Sequence, residues 1–122
     1  MESEYRIIFY TSIQGDCPAK EFLNSLPIKV RAKISQWMVK LEEYGPNLPR
    51  PYADIIQGKI RELRVVFAST QYRLLYFFYG KCAIITHGFI KKTDEVGKNE
   101  IERACRFMYD FEERAKRGEI EL

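Results

Sequence analysis

The chain has 122 residues, of which 46% are hydrophobic, 14% aromatic and 30% charged; these proportions suit a globular core and exclude disordered, collagen-like and disulfide-dependent miniprotein classes. Its net charge of +3 is unevenly spread, because seven Lys and Arg stand against two acids between Asp54 and Thr93. Clustered positive charge of this kind points to a polyanionic partner. Cys17, Cys82 and Cys105 are odd in number and far apart, and they form no Cys-x-x-Cys spacing with the single histidine, His87. That pattern argues against a disulfide framework or a zinc site and for reduced thiols. The acidic start Met1-Glu2-Ser3-Glu4 lacks the cations of a secretory signal, and no apolar run approaches the ~20 residues of a membrane span. The expectation is a cytoplasmic chain with no membrane contact, folded as one domain over residues 1–122, since neither a linker nor a repeat divides it.

Tyr5 to Tyr10 is short, aromatic and β-branched, which favours a strand. After the break at Gln14-Gly15-Asp16, Asp16 is placed to cap a short helix with Pro18 in its first turn and Phe22, Leu23 and Leu26 on one side. A longer helix follows, with Val30, Ile34, Trp37, Met38, Leu41 and Tyr44 spaced by threes and fours until Gly45-Pro46 ends it. Pro46 to Pro51 holds three prolines in six residues and reads as a rigid irregular connection. Ile60–Phe67, Tyr72–Tyr79 and Cys82–Phe89 then read as three strands whose short connections permit only antiparallel hairpins. Glu100–Arg117 restores a helical stripe through Ile101, Ala104, Cys105, Met108, Phe111 and Ala115, with Gly118 at its end.

The three strands carry the chemistry. Cleaving RNA without a metal requires a base for the 2′-hydroxyl, fixed cations for the phosphate and an acid for the leaving 5′-oxygen. Arg61, Arg64, Arg73, Lys91 and Lys92 are candidate cations. His87 and Glu62 are the nearby groups able to take a proton at neutral pH, and a protonated His87 or a lysine can return one. Tyr72, Tyr76 and Phe89 can stack on splayed bases. Each has a plainer reading: Glu62 as a cross-strand ion-pair partner, His87 as a polar strand residue, the lysines as a solvated strand end and the aromatics as core. Strand parity leaves open whether Arg61 and His87 share a face with Arg73, because one bulge reverses the answer.

Ile60-Arg61-Glu62-Leu63-Arg64, Tyr72-Arg73-Leu74-Leu75-Tyr76 and His87-Gly88-Phe89-Ile90-Lys91-Lys92-Thr93, preceded by a helical hairpin ending in Leu41-Glu42-Glu43-Tyr44-Gly45, resemble the RelE/ParE toxin superfamily and its phage-derived HigB-like branch. The resemblance implies an α+β fold in which an N-terminal strand and a helical hairpin pack on an antiparallel sheet, with a C-terminal helix. It further implies the toxin of a type II toxin-antitoxin system, held by a cognate antitoxin of helix-turn-helix type, that cuts messenger RNA on the ribosome with no metal or cofactor. By motif, Arg73 matches a phosphate-contacting arginine, and Lys91 and Lys92 match the basic pair closing the last strand. Glu62 stands where RelE has a catalytic lysine, and Lys98 or its neighbours where RelE has a late catalytic tyrosine, so proton transfer falls to His87 or Glu62. On the same fold, a ParE-like inhibitor of DNA gyrase and an inert phage-derived interaction protein are the rival readings.

Overall fold

In the computed structural model, which describes residues 4–122, a five-stranded sheet lies between two helical layers. The acidic start Met1-Glu2-Ser3 lies outside the described residues. The strands are β1 (Arg6–Phe9), β2 (Ala53–Gln57), β3 (Ile60–Phe67), β4 (Thr70–Tyr79) and β5 (Cys82–Lys91), in the order β1-β5-β4-β3-β2. Helices α1 (Pro18–Asn24) and α2 (Ile28–Tyr44) form the hairpin, and α3 (Lys98–Lys116) is the C-terminal helix. No helix among the described residues is long and apolar enough to cross a membrane.

The sheet is mixed, which corrects the antiparallel expectation. The β2 to β5 meander is antiparallel throughout, but β1 runs parallel to β5, with Arg6 opposite Cys82 and Phe9 opposite Ile85. The two intervening helices return the chain to the far edge of the sheet, and this long crossover is what makes parallel pairing reachable. Strand β2 is an element the sequence reading left out. The Gly58-Lys59 turn, with Gly58 at φ +55°, lets Ala53–Gln57 fold back on β3.

Period-2 alternation divides the sheet residues between two cores. On one face Leu63, Val65, Tyr72, Leu74, Tyr76, Ala83 and Ile85 pack against Val30, Ile34 and Leu41 of α2. On the other, Ile60, Leu75, Phe77 and Ile84 pack against Ala104 and Phe111 of α3. The C-terminal half of α3 is also pinned by polar contacts: the Tyr10 hydroxyl donates to Asp110 at 2.6 Å, and Arg114 bonds both Asp110 and the Thr11 carbonyl. Burial and Asp110 together push the Tyr10 hydroxyl up to about 12.

Two local expectations change. Asp16 does not cap α1: its backbone N–H bonds the Ser12 hydroxyl, its carbonyl accepts from the Ser12 N–H, and the helix begins after Cys17 with Pro18 in its first position. The connection after α2 includes a 3-10 turn, Gly45–Asn47. The first residue of that turn is Gly45 at φ +53°, where the Tyr5 ring lies 2.3 Å from the place a Cβ would occupy. Glycine is therefore required there both for conformation and for space.

Candidate functional site

One extra residue in β5 decides which side chains meet. Leu75 pairs with His87 but Tyr76 pairs with Ile85, so Thr86 is bulged out of the ladder. Before the bulge, Ile84 faces α3 and Ile85 faces α2; after it, His87, Phe89 and Lys91 face α3 and Gly88 faces α1. At the break the Thr86 hydroxyl bonds the Leu75 carbonyl at 3.2 Å. The bulge thus places His87 and Lys91 on the face that carries Glu62, Arg64 and Arg73.

Arg61 falls on the opposite face, which corrects its assignment to this group of cations. Its guanidinium bonds the Pro46 carbonyl at 3.1 Å and lies over the Phe78 ring. Tyr72 and Tyr76 are corrected likewise: both are buried in the α2-side core, where burial pushes the Tyr76 hydroxyl up to about 12. Neither is available to stack on a base. Phe89 does lie on the α3 side, beside the His87 ring.

Arg73 is 1% exposed and Glu62 4%. Arg73 Nε sits 3.0 Å from Glu62 Oε1, in charge contact but without hydrogen-bond alignment, so both atoms lack a hydrogen bond. The rest of the guanidinium donates to Gln71 Oε1 at 2.7 Å and to the Tyr72 carbonyl at 3.3 Å. Burial works against the Arg73 charge, and Glu62 supplies the compensating attraction. Arg64, one third exposed, approaches the other Glu62 oxygen at 3.7 Å. Glu62 is therefore a buried carboxylate bridging a sealed arginine and a more open one.

In front of this bridge lies a cleft of about 410 Å3 lined by Glu62, Arg64 and Lys91, by Arg50 and Asp54 from the start of the β2 hairpin, and by Asp94 and Glu95. Arg50 pairs with Asp54 at 2.6 Å. Lys92 is exposed just past the end of β5, beside a smaller hollow that Lys91 also lines. Arg50, Asp54, Asp94 and Glu95 were not singled out in the sequence. The positive run counted from Asp54 to Thr93 stops one residue short of Asp94-Glu95, and reading on would have shown the countercharge.

His87 shares the face but not the cleft. It is 1% exposed, with Nε2 3.1 Å from Glu100 Oε1 and Nδ1 3.1 Å from the Thr86 hydroxyl. The Phe89 and Phe107 rings pack around it. Burial, followed by the Arg103 charge, lowers its pKa, while Glu100 pulls the other way. A neutral ring whose Nε2 carries the proton donates to the Glu100 carboxylate, while Nδ1 and the Leu75 carbonyl compete for the single Thr86 hydroxyl proton. In this conformation His87 ties the first turn of α3 to β5 and cannot touch a substrate in the cleft.

Residues 21–109, which include the whole cleft, match the phage-derived Gp49-like protein family. The chain belongs to that family, which is part of the RelE/HigB-like toxin superfamily and related to the toxins of toxin-antitoxin systems. No curated protein matches the chain significantly.

Proposed function

We propose that this chain is a RelE-like toxin of a type II toxin-antitoxin pair, which cuts messenger RNA on the ribosome in the cytoplasm and is restrained by a helix-turn-helix antitoxin. The observation that carries the reading is the Thr86 bulge, which sets Lys91 across a cleft from the Glu62, Arg64 and Arg73 group. Family membership supports the toxin class, and the order of elements agrees with a RelE-like arrangement.

Arg64, Lys91 and Lys92 are the cations within reach of a phosphate. Arg73 acts behind them as a positioning residue that holds Glu62. With His87 sealed under α3, Glu62 is the one of the two sequence-predicted proton acceptors that reaches the cleft, and we assign it that role. In the reaction, Glu62 takes the proton of a 2′-hydroxyl and the oxygen attacks the adjacent phosphorus. The bond from phosphorus to the 5′-oxygen then breaks, and that oxygen takes its proton from Lys91 or Lys92.

The test is to produce the protein without an antitoxin and map transcript ends. New internal cuts within translated regions, reduced by Lys91→Ala, are the expected result. Intact messages with inhibited supercoiling would assign the protein to the gyrase-inhibiting class. Unimpeded growth with intact messages would mark it as an inert interaction protein.

A further inference from the structure

Thr93–Gly97, between β5 and α3, is the one cleft-lining segment outside regular structure that carries unpaired carboxylates. Asp94 and Glu95 are both exposed, and among the described residues neither enters an ion pair, whereas Asp54 and Glu62 in the same cleft are each matched by arginine. Among the described residues the backbone of residues 94–96 bonds to no other element, and its one partner is the Thr93 hydroxyl, which donates to the Glu95 carbonyl at 2.8 Å. The segment is anchored by Val96, which packs into the α3-side core, and by the Gly97 carbonyl, which accepts the Glu100 and Ile101 N–H groups.

Glu95, Val96 and Ile101 also line a second, adjoining cleft of about 670 Å3, with Gln57, Lys98, Glu102, Cys105 and Arg106. The segment therefore borders both clefts. Arg64 and Lys91 line the first, Lys98, Arg106 and Glu102 the second, and the two free carboxylates of the segment stand in the first beside its cations.

We propose that Thr93–Gly97 is an acidic strap whose Asp94 and Glu95 carboxylates screen the cleft, so that a single-stranded nucleic acid must compete with them for Arg64 and Lys91; this rests on the anion-binding reading of the cleft given above. The strap sets the affinity of the site for polyanions without being part of its cationic machinery. Because the carboxylates are exposed, their effect fades as salt shortens the reach of charge.

The experiment measures binding of a fluorescein-labelled single-stranded RNA oligonucleotide by anisotropy. For the Asp94→Asn/Glu95→Gln protein, binding roughly three- to tenfold tighter than wild type is expected at about 50 mM salt, narrowing at about 200 mM. Glu42→Gln/Glu43→Gln on α2 changes net charge equally but is remote from the cleft. An equal gain from that pair would make the effect one of overall charge and overturn the strap. If Lys91→Ala weakens binding but the Asp94/Glu95 variant gains nothing, the strap is wrong and the anion site stands. If neither alters binding, both fall.

Discussion

Arg73→Ala should destabilise the protein before it says anything about activity. The guanidinium is 1% exposed and lies 3.0 Å from Glu62, itself 4% exposed. Removing one partner of such a pair leaves a buried charge uncompensated, a loss of about 3–5 kcal/mol. Arg64, at 3.7 Å and one third exposed, remains as partial compensation, which places the expected loss near about 3 kcal/mol. In a domain of this size that corresponds to a fall in Tm of about 10 °C. Glu62→Gln leaves the sealed Arg73 charge with no carboxylate opposite it and should cost at least as much, about 3–5 kcal/mol. The double substitution Glu62→Leu/Arg73→Met removes both charges at similar volume and should return to within about 1 kcal/mol of wild type. Urea denaturation of wild type, Glu62→Leu, Arg73→Met and the double variant, with unchanged m-values, gives the cycle, and Arg73→Ala and Glu62→Gln are measured beside it. An Arg73→Ala protein within about 1 kcal/mol of wild type, or strictly additive single effects, would refute the buried pair. The double variant also serves in the activity assay: it removes the proton acceptor Glu62 together with Arg73 while keeping the fold, so cleavage should be lost in a stable protein.

Lys91→Ala, at a partly exposed strand end, should leave Tm nearly unchanged while slowing RNA cleavage by roughly 5- to 150-fold, the effect of losing one charge contact in a transition state; full activity in a folded variant would remove it from the site. For His87, whose pKa is lowered from 6.5 by burial and Arg103, the unfolded chain takes up the proton first on acidification. Its stabilising contribution is thus complete above 6.5 and is lost below that, with a slope of up to about 1.4 kcal/mol per pH unit down to the folded-state pKa. His87→Gln should flatten Tm between about pH 7 and 5, and an unchanged profile would show that His87 is not buried neutral. At Gly88 an added Cβ would lie 2.3 Å from the Phe22 ring, so Gly88→Ala should cost about 1–3 kcal/mol in denaturation by displacing α1 from β5. Ala68 and Ser69 occupy the β3–β4 turn at φ +48° and +68°, so Ala68→Asn/Ser69→Gly should raise stability by about 0.5–2 kcal/mol; a lower urea midpoint would contradict the turn geometry.

The sequence by itself determined what depends on neighbours along the chain. Strands β3 to β5 and helices α2 and α3 were legible because their apolar periods of two and of three to four are local signals, and Gly45 and Gly118 marked real helix ends. The motif strands also pointed to the family. Strand β2 was not legible, since Asp54 interrupts its alternation and only its pairing with β3 makes it a strand. Nor was the parallel direction of β1, which depends on where α1 and α2 return the chain. The composition of the site was decided by tertiary structure alone. A single bulged residue, Thr86, turned His87 and Lys91 toward Glu62, Arg64 and Arg73, while Arg61 stayed on the other face. The packing of α3 then sealed His87 against Glu100 and left the cleft to Glu62, Arg64 and Lys91. Residue type supplies the charges, but facing depends on one register shift and exposure on which helix lands on the sheet, and neither has a signature in the local sequence.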